Sequence, residues 1–82
     1  MNKEDIRNKI REIVERYIFD KTVWDKAPEN PAFIEDLKIN SARIVDVILD
    51  IEDQYQIAID DASLEKIIRL DDAVEVVIRK LS

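Results

Sequence analysis

Residues 33–52 read FIEDLKINSARIVDVILDIE and join a polar turn to an amphipathic run. The apolar side chains that recur there at helical spacing form one stripe: Ile44, Ile48, Ile51 and Tyr55. This stripe predicts a helix over residues 41–55 with one buried face. Ser41 lies at its start, where a helix offers free backbone N–H groups and the positive end of its dipole. We therefore expect an exposed serine hydroxyl at a place suited to a phosphate.

The chemistry of Ser41 is limited by what the chain lacks. There is no histidine and no cysteine, so the usual proton shuttle, thiolate nucleophile and soft metal ligand are missing. Ser41 has no candidate base, and a serine without one is a poor nucleophile. There is no glycine for a phosphate-binding loop, and residues 60–63 lack the ligand pattern of a calcium loop. We therefore predict an attachment point rather than an enzyme active site or a metal site.

Length and composition indicate one soluble globular domain over residues 1–82, with 46% hydrophobic and 39% charged residues. No apolar run approaches the length of about 20 residues that a membrane span needs. The first residues do not resemble a signal peptide, and cysteine is absent. The expected location is the cytoplasm.

The charge distribution is uneven. The formal net charge of −6 argues against a nucleic-acid partner, because such binding depends on Lys and Arg. Seven acids and no base lie between Ile44 and Glu65: Asp46, Asp50, Glu52, Asp53, Asp60, Asp61 and Glu65. Two interpretations remain open, a solvated acidic face and a docking surface for basic partners.

A first helix is predicted over residues 3–19 by apolar residues at helical spacing, with Asn2 as its cap. A long connection, residues 20–40, follows. Within it, Asn30 before a proline predicts a cap and a short turn of helix over residues 31–37. The connection is otherwise expected to be a loop between helices one and two.

The last part of the chain predicts two more helices. Residues 56–59 alternate too briefly for a strand. A short helical pattern follows in Leu64, Ile67 and Ile68. Asp71 or Asp72 can cap a final helix whose apolar residues are Val74, Val77, Ile78 and Leu81. The predicted fold is all-α, a small four-helix bundle of three longer helices and one short one.

The middle helix carries a second apolar arc beside its buried stripe. Ala42, Val45 and Leu49 lie there, next to the acidic side chains. Either neighbouring helices cover this arc or it forms a small exposed contact surface next to Ser41. Aliphatic residues at either end of the helices could also enclose a cavity for apolar cargo, as opposed to a dry core: Ile44, Val45, Ile48, Ile67, Ile68 and Val74.

Residues 35–41 read EDLKINS and resemble a segment of the acyl carrier protein family that ends in Asp-Ser-Leu. The family has acids in the following helix where this chain has Asp46, Glu52 and Asp53. Residues 55–61, YQIAIDD, are similar to its aromatic, isoleucine and acidic turn. The last two helices also fit, so the resemblance covers about the whole chain. It implies an acyl-carrier-like fold.

Three residues of the family motif are replaced. Lys38 stands for its common glycine, Asn40 for the aspartate and Ala42 for the leucine. Asn40 can still cap a helix but does not present a carboxylate to the modifying transferase. Ala42 shrinks an apolar contact with partners, and Arg43 adds a positive charge where an acid is usual.

The resemblance implies that Ser41 receives 4′-phosphopantetheine, whose thiol carries acyl or related groups as thioesters. Expected partners are a phosphopantetheinyl transferase and acyl-loading and acyl-transfer enzymes with basic docking patches. The expected docking residues are Ala42, Val45, Asp46, Leu49, Asp50 and Asp53. We expect a monomer. In the alternative, the fold acts unmodified as a protein-interaction module and Ser41 is merely a helix cap. Fatty acid, polyketide, peptide and envelope pathways all stay open.

Overall fold

The computed structural model describes residues 2–82, which form helices and no β-strand. In chain order the helices are α1 (Lys3–Glu15), α2 (Val23–Lys26), α3 (Ser41–Tyr55), α4 (Asp61–Leu64) and α5 (Leu70–Leu81). Helix α1 packs mainly against α5 and to a smaller extent against α3. The predicted all-α class is confirmed, and the predicted bounds of the helix that begins at Ser41 agree with α3. Within residues 2–82, no helix is long and apolar enough to cross a membrane.

The core lies between the three longer helices and is closed by the connection before α3. Its largest fully buried side chains come from all of these parts: Ile10, Ile13, Val14, Phe33, Leu37, Ile39, Val47, Ile51, Leu70, Val74, Val76 and Val77. Burying one such side chain contributes about 1.5–3 kcal/mol. No polar or charged residue within residues 2–82 is buried. The fold therefore depends on apolar packing, and its charges are left at the surface.

Helix α1 begins as predicted but ends four residues earlier than the expected end at residue 19. Asn2 is its cap, with Oδ1 accepting a hydrogen bond from Asp5 N at 2.8 Å. Beyond the helix, Tyr17 N donates to Val14 O, the short spacing that tightens a last turn. Lys21 Nζ donates to the Ile18 carbonyl at 2.8 Å. The chain turns there because a side chain from the loop takes over carbonyls left without a helical partner.

The connection contains a helix that was not predicted, α2, so there are two short helices rather than one. Its tryptophan fixes it to α1: Trp24 Nε1 donates to Glu15 Oε2 at 2.6 Å, and the Arg11 guanidinium lies 4.4 Å from the ring centre. A cation over an aromatic face is attracted by the ring quadrupole. Four residues give no periodic pattern, which is why the sequence did not reveal this helix.

The predicted helical turn over residues 31–37 is wrong: these residues form turns and one isolated bridge, between Ala32 and Arg69. Asn30 was expected to cap that turn. Its Oδ1 instead accepts from Asp71 N at 2.9 Å, in the first turn of α5. The side chain thus satisfies a free N–H group of a helix 41 residues further along the chain.

Backbone hydrogen bonds tie the start of this segment to the chain just before α5. Phe33 N donates to Ile68 O at 3.0 Å, and Leu70 N donates to Pro31 O at 2.9 Å. The second bond occupies the Pro31 carbonyl, a group that a helix beginning there would have used internally. The two bonds also bring the connection against the segment between α4 and α5, close to the start of α3.

The last two helices differ from prediction at their ends. Helix α4 stops at Leu64, so Ile67 and Ile68 follow it in non-helical chain. Helix α5 begins before the two predicted caps, at Leu70. Asp72 lies inside α5 and reaches back, with Oδ2 accepting from Arg69 N at 2.8 Å and Ile68 N at 3.0 Å. Asp72, the third residue of the helix, therefore accepts from backbone N–H groups just before the helix start, as in one half of a capping box.

Lys38 has a left-handed backbone, with φ of 58°, at the position where the resembling family has glycine. A side chain in this conformation costs about 1–2 kcal/mol because its Cβ crowds the carbonyl oxygen. Glycine avoids this cost, but its greater loss of conformational entropy on folding costs about 0.5–1 kcal/mol. We expect Lys38→Gly to raise the free energy of unfolding by about 0.5–1 kcal/mol, measured by urea denaturation.

The control for this change is Lys38→Ala, which keeps the Cβ. It also removes the bond from Lys38 Nζ to Glu35 O, 2.7 Å long. This variant should be no more stable than the parent. Equal stabilisation by glycine and alanine would contradict the backbone explanation.

Candidate functional site

Ser41 is the first residue of α3 and is exposed. The cap is the residue before it: Asn40 has an extended backbone, and its Oδ1 accepts from Ala42 N at 2.9 Å. The interpretation of Ser41 as a helix cap is therefore wrong. Within residues 2–82 its hydroxyl has no hydrogen-bond partner. The oxygen is consequently free for other chemistry.

The backbone donors at the start of α3 are less available than predicted. Ala42 N is bonded to the Asn40 side chain, and Arg43 N donates to Asn40 O at 2.8 Å. A phosphate on Ser41 would thus meet the helix dipole but not a full set of free N–H groups. Asn40 and Ala42 are both exposed, and Ala42 is small. The surroundings of the hydroxyl therefore have room for a phosphodiester-linked group and fit it.

The second apolar arc of α3 lies on the surface. Val45 is 55% exposed, Leu49 is 54% exposed, and Ala42 is exposed as well. Of the two interpretations, cover by neighbouring helices is therefore wrong. The arc starts one residue after Ser41 and runs for two turns of the helix, about 10 Å at 1.5 Å per residue.

Two of the three predicted docking acids have partners within the fold. Asp46 pairs with Arg43 across one turn, at 3.1 Å between Oδ2 and the guanidinium. Asp50 accepts a hydrogen bond from Tyr17 OH, and this bond to a carboxylate raises the pKa of the tyrosine above its usual value. Asp53 is exposed and has no side-chain partner in the part of the chain that the structure describes. Its charge is the most available of the three.

Other members of the acidic run are structural. Glu52 Oε2 accepts from Ile59 N at 2.7 Å and orders the chain after α3. Asp60 caps α4 and pairs with Lys80 at 3.1 Å. The hydrogen bonds from Ser63 and Lys80 hold the pKa of Asp60 well below its usual value. Of the seven acids, those exposed and without a side-chain partner in residues 2–82 are Asp53, Asp61 and Glu65.

An apolar pocket of about 220 Å³ opens near the start of α3. Its lining consists of Ala32, Phe33, Ile34, Glu35, Ile44, Ile67 and Ile68. Three of the six residues predicted to enclose a cavity are among them. The prediction is wrong for Val45, which is exposed, and for Ile48 and Val74, which are packed in the core. The sequence missed residues 32–35 because only the backbone hydrogen bonds between the connection and the chain before α5 bring them here.

Comparison with known proteins gives the family. No family model matches the chain. The acyl carrier protein of Thermotoga maritima is 32% identical over 81 residues, covering 98% of this chain and 96% of its own length. That of Lactobacillus acidophilus is 37% identical and covers 90% of each chain, and that of Rubrobacter xylanophilus is 32% identical and covers 95% and 94%. With this coverage, the chain belongs to the acyl carrier protein family, whose members are carriers with a 4′-phosphopantetheine group and not enzymes.

Proposed function

We propose that this carrier holds its 4′-phosphopantetheine on Ser41. One observation carries the proposal: among the three serines, Ser41 alone has a hydroxyl without a hydrogen-bond partner within residues 2–82. Ser63 Oγ bonds to Asp60 Oδ1 at 2.8 Å, and Ser82 Oγ donates to Ile78 O at 2.8 Å. Ser41 is also the one at the start of a long helix. When bound, the group supplies the thiol that holds an acyl cargo as a thioester.

The test is to co-express the chain with a phosphopantetheinyl transferase and measure its intact mass. We expect a gain of one phosphopantetheine, located by peptide mapping on the fragment that contains Ser41. A gain located on Ser63 or Ser82 would overturn the site. No gain at all would favour the unmodified protein-interaction module.

We further propose that the arc of α3 beside Ser41 is where partner enzymes dock. The apolar contacts come from Val45 and Leu49, and the long-range attraction comes chiefly from Asp53, the exposed acid of α3 without a side-chain partner in residues 2–82. Asp46 and Asp50 contribute less, since Arg43 and Tyr17 already contact them. Acidic attraction with a small apolar contact gives fast encounter without tight binding, which suits a shuttle.

For docking, we expect Asp53→Lys to slow association with the transferase roughly three- to tenfold and to weaken its dependence on salt. Leu49→Ala should mainly speed dissociation, because it removes an apolar contact made only in the complex. Association and dissociation rates at two salt concentrations provide the measurement.

The matched control for docking is Glu12→Lys, the same change of charge on α1, where the carboxylate is exposed and pairs with Lys9 at 3.4 Å. It should have much less effect on the association rate. Equal effects of Glu12→Lys and Asp53→Lys would mean that net charge governs recognition.

The 220 Å³ pocket is proposed to receive the first part of an apolar cargo, because Ile44, one turn after Ser41 in α3, lines it. Each buried CH₂ contributes about 0.8 kcal/mol. We therefore expect the melting temperature of the loaded carrier to rise with acyl length and then level off. Ile68→Asp, at an exposed rim position, should flatten this dependence. A melting temperature that does not change with acyl length would contradict the proposal.

The proposal also places the carrier in the cytoplasm, as a monomer with one carrier domain over residues 1–82. It is supported by the absence of cysteine and by the net charge of −6, which favours solubility and opposes self-association.

A further inference from the structure

We propose that a second surface, which carries two arginines with free donors beside an exposed phenylalanine, docks an acidic segment of a partner protein. It consists of Arg16, Phe19 and Arg43 and is called here the arginine–phenylalanine surface. It lies where the chain leaving α1 meets the start of α3. The inference does not depend on attachment of a group at Ser41.

Phe19 is the first observation. Its relative accessibility is 103%, the highest among the large hydrophobic residues that the structure describes, while the preceding Ile18 is buried. A phenylalanine wholly in water forgoes the burial free energy of its ring. Aromatic residues and arginine are enriched at the centres of protein interfaces. The ring is therefore placed as an anchor that a partner can cover.

The second observation is the shape around this ring. Arg16, Tyr17, Ile18, Phe19 and Arg43 line an open depression of about 460 Å³. The depression joins the chain after α1 to the first turn of α3, so two separate parts of the fold contribute its arginines. A partner segment can thus contact the ring and both guanidinium groups together.

The third observation is that both guanidinium groups keep free donors. Arg16 lies 3.9 Å from Asp50 Oδ2, too far for a hydrogen bond, and Asp50 already accepts from Tyr17. Arg43 makes one side-chain hydrogen bond, to Asp46 at 3.1 Å, which leaves four of its five N–H donors. Both side chains are more than half exposed.

These features select the partner. Guanidinium groups with free donors bind carboxylates in a two-pronged geometry. A free anion would satisfy them but would leave Phe19 uncovered. A protein segment that carries acidic side chains next to an apolar side chain can bind both arginines and also cover the Phe19 ring. Elsewhere such a partner meets exposed acids without a side-chain partner in residues 2–82, such as Asp53, which repel it.

The probe is the peptide acetyl-Glu-Leu-Glu-Leu-Glu-amide, titrated into the full chain carrying Ser41→Ala, with backbone amide shifts followed by NMR. The shifts should move at residues 16–19 and 43. Phe19→Ala should weaken binding about tenfold, and Arg43→Glu more than tenfold. The matched control is Arg79→Glu, at an exposed residue of α5, which should change the affinity less than about twofold. The dispersion of the amide spectrum checks that each variant is folded.

The proposal is overturned by absence of shifts at these residues, or by equal binding of acetyl-Lys-Leu-Lys-Leu-Lys-amide. Equal losses from Arg43→Glu and Arg79→Glu would overturn it too, because net charge would then explain the binding. Since Ser41 is absent from the titrated protein, a failure of loading at Ser41 leaves this result unaffected, and the two proposals are tested separately.

Discussion

Ser41→Ala is expected to abolish attachment of 4′-phosphopantetheine while changing the free energy of unfolding by less than about 0.5 kcal/mol. The loss is complete because the variant has no hydroxyl at the start of α3 on which the phosphodiester could form. Folding is kept because Asn40 caps the helix and the Ser41 hydroxyl has no hydrogen-bond partner within residues 2–82. Alanine is also the better helix former. Intact mass after co-expression with the transferase and a urea titration measure the two effects.

Asn40→Ala is the reciprocal control. It retains the serine but removes the cap, whose Oδ1 accepts from Ala42 N, so it should cost about 1 kcal/mol of stability. Ser63→Ala removes a serine that is bonded to Asp60, and loading should continue in this variant. An alanine variant at position 41 that still gains the mass would show that the attachment site is elsewhere.

Phe33→Ala is expected to lower the free energy of unfolding by about 3–5 kcal/mol. The ring is 2% exposed, so its removal takes apolar contacts from the core and leaves a cavity there. A small domain has only about 5–15 kcal/mol in total, so this variant approaches the limit of folding. Urea denaturation monitored by circular dichroism gives the value.

The neighbouring residue provides the control. Ile34 is 52% exposed, and Ile34→Ala should cost less than about 1 kcal/mol. Both residues line the 220 Å³ pocket, so a long acyl cargo should restore more stability in the Phe33 variant than in the parent. Equal costs of the two alanine substitutions would contradict the placement of the ring in the core.

Helix α3 and the position of Ser41 were predictable because their causes are local. The apolar stripe of residues 44–55 repeats at 3.6 residues per turn, and the cap at Asn40 acts on an N–H group two residues away. The cap of α1 is equally local, since Asn2 bonds to Asp5 N. Caps and helices whose contacts lie within one helical turn can be inferred from neighbouring residues in the sequence.

Two of the wrong predictions concern partners outside the local window of sequence. Asn30 has the sequence context of a local cap, but its acceptor oxygen serves α5 because the bridge between Ala32 and Arg69 brings the two segments together. Helix α2 depends on the contact of Trp24 with Glu15 and Arg11 of α1. Nothing in a window of four residues encodes such contacts.

The sequence by itself determined the helical class, the start of α3 and an exposed serine there, because periodicity and capping depend on adjacent residues. Tertiary structure decided that Asp50 is engaged and which apolar side chains stay in water, whereas the pairing of Asp46 with Arg43 is local. Asp50 is engaged by Tyr17 from 33 residues away, whereas no helix covers Leu49. These outcomes depend on which side chains the packing of α1, α3 and α5 brings together, and packing joins residues that are far apart in the chain.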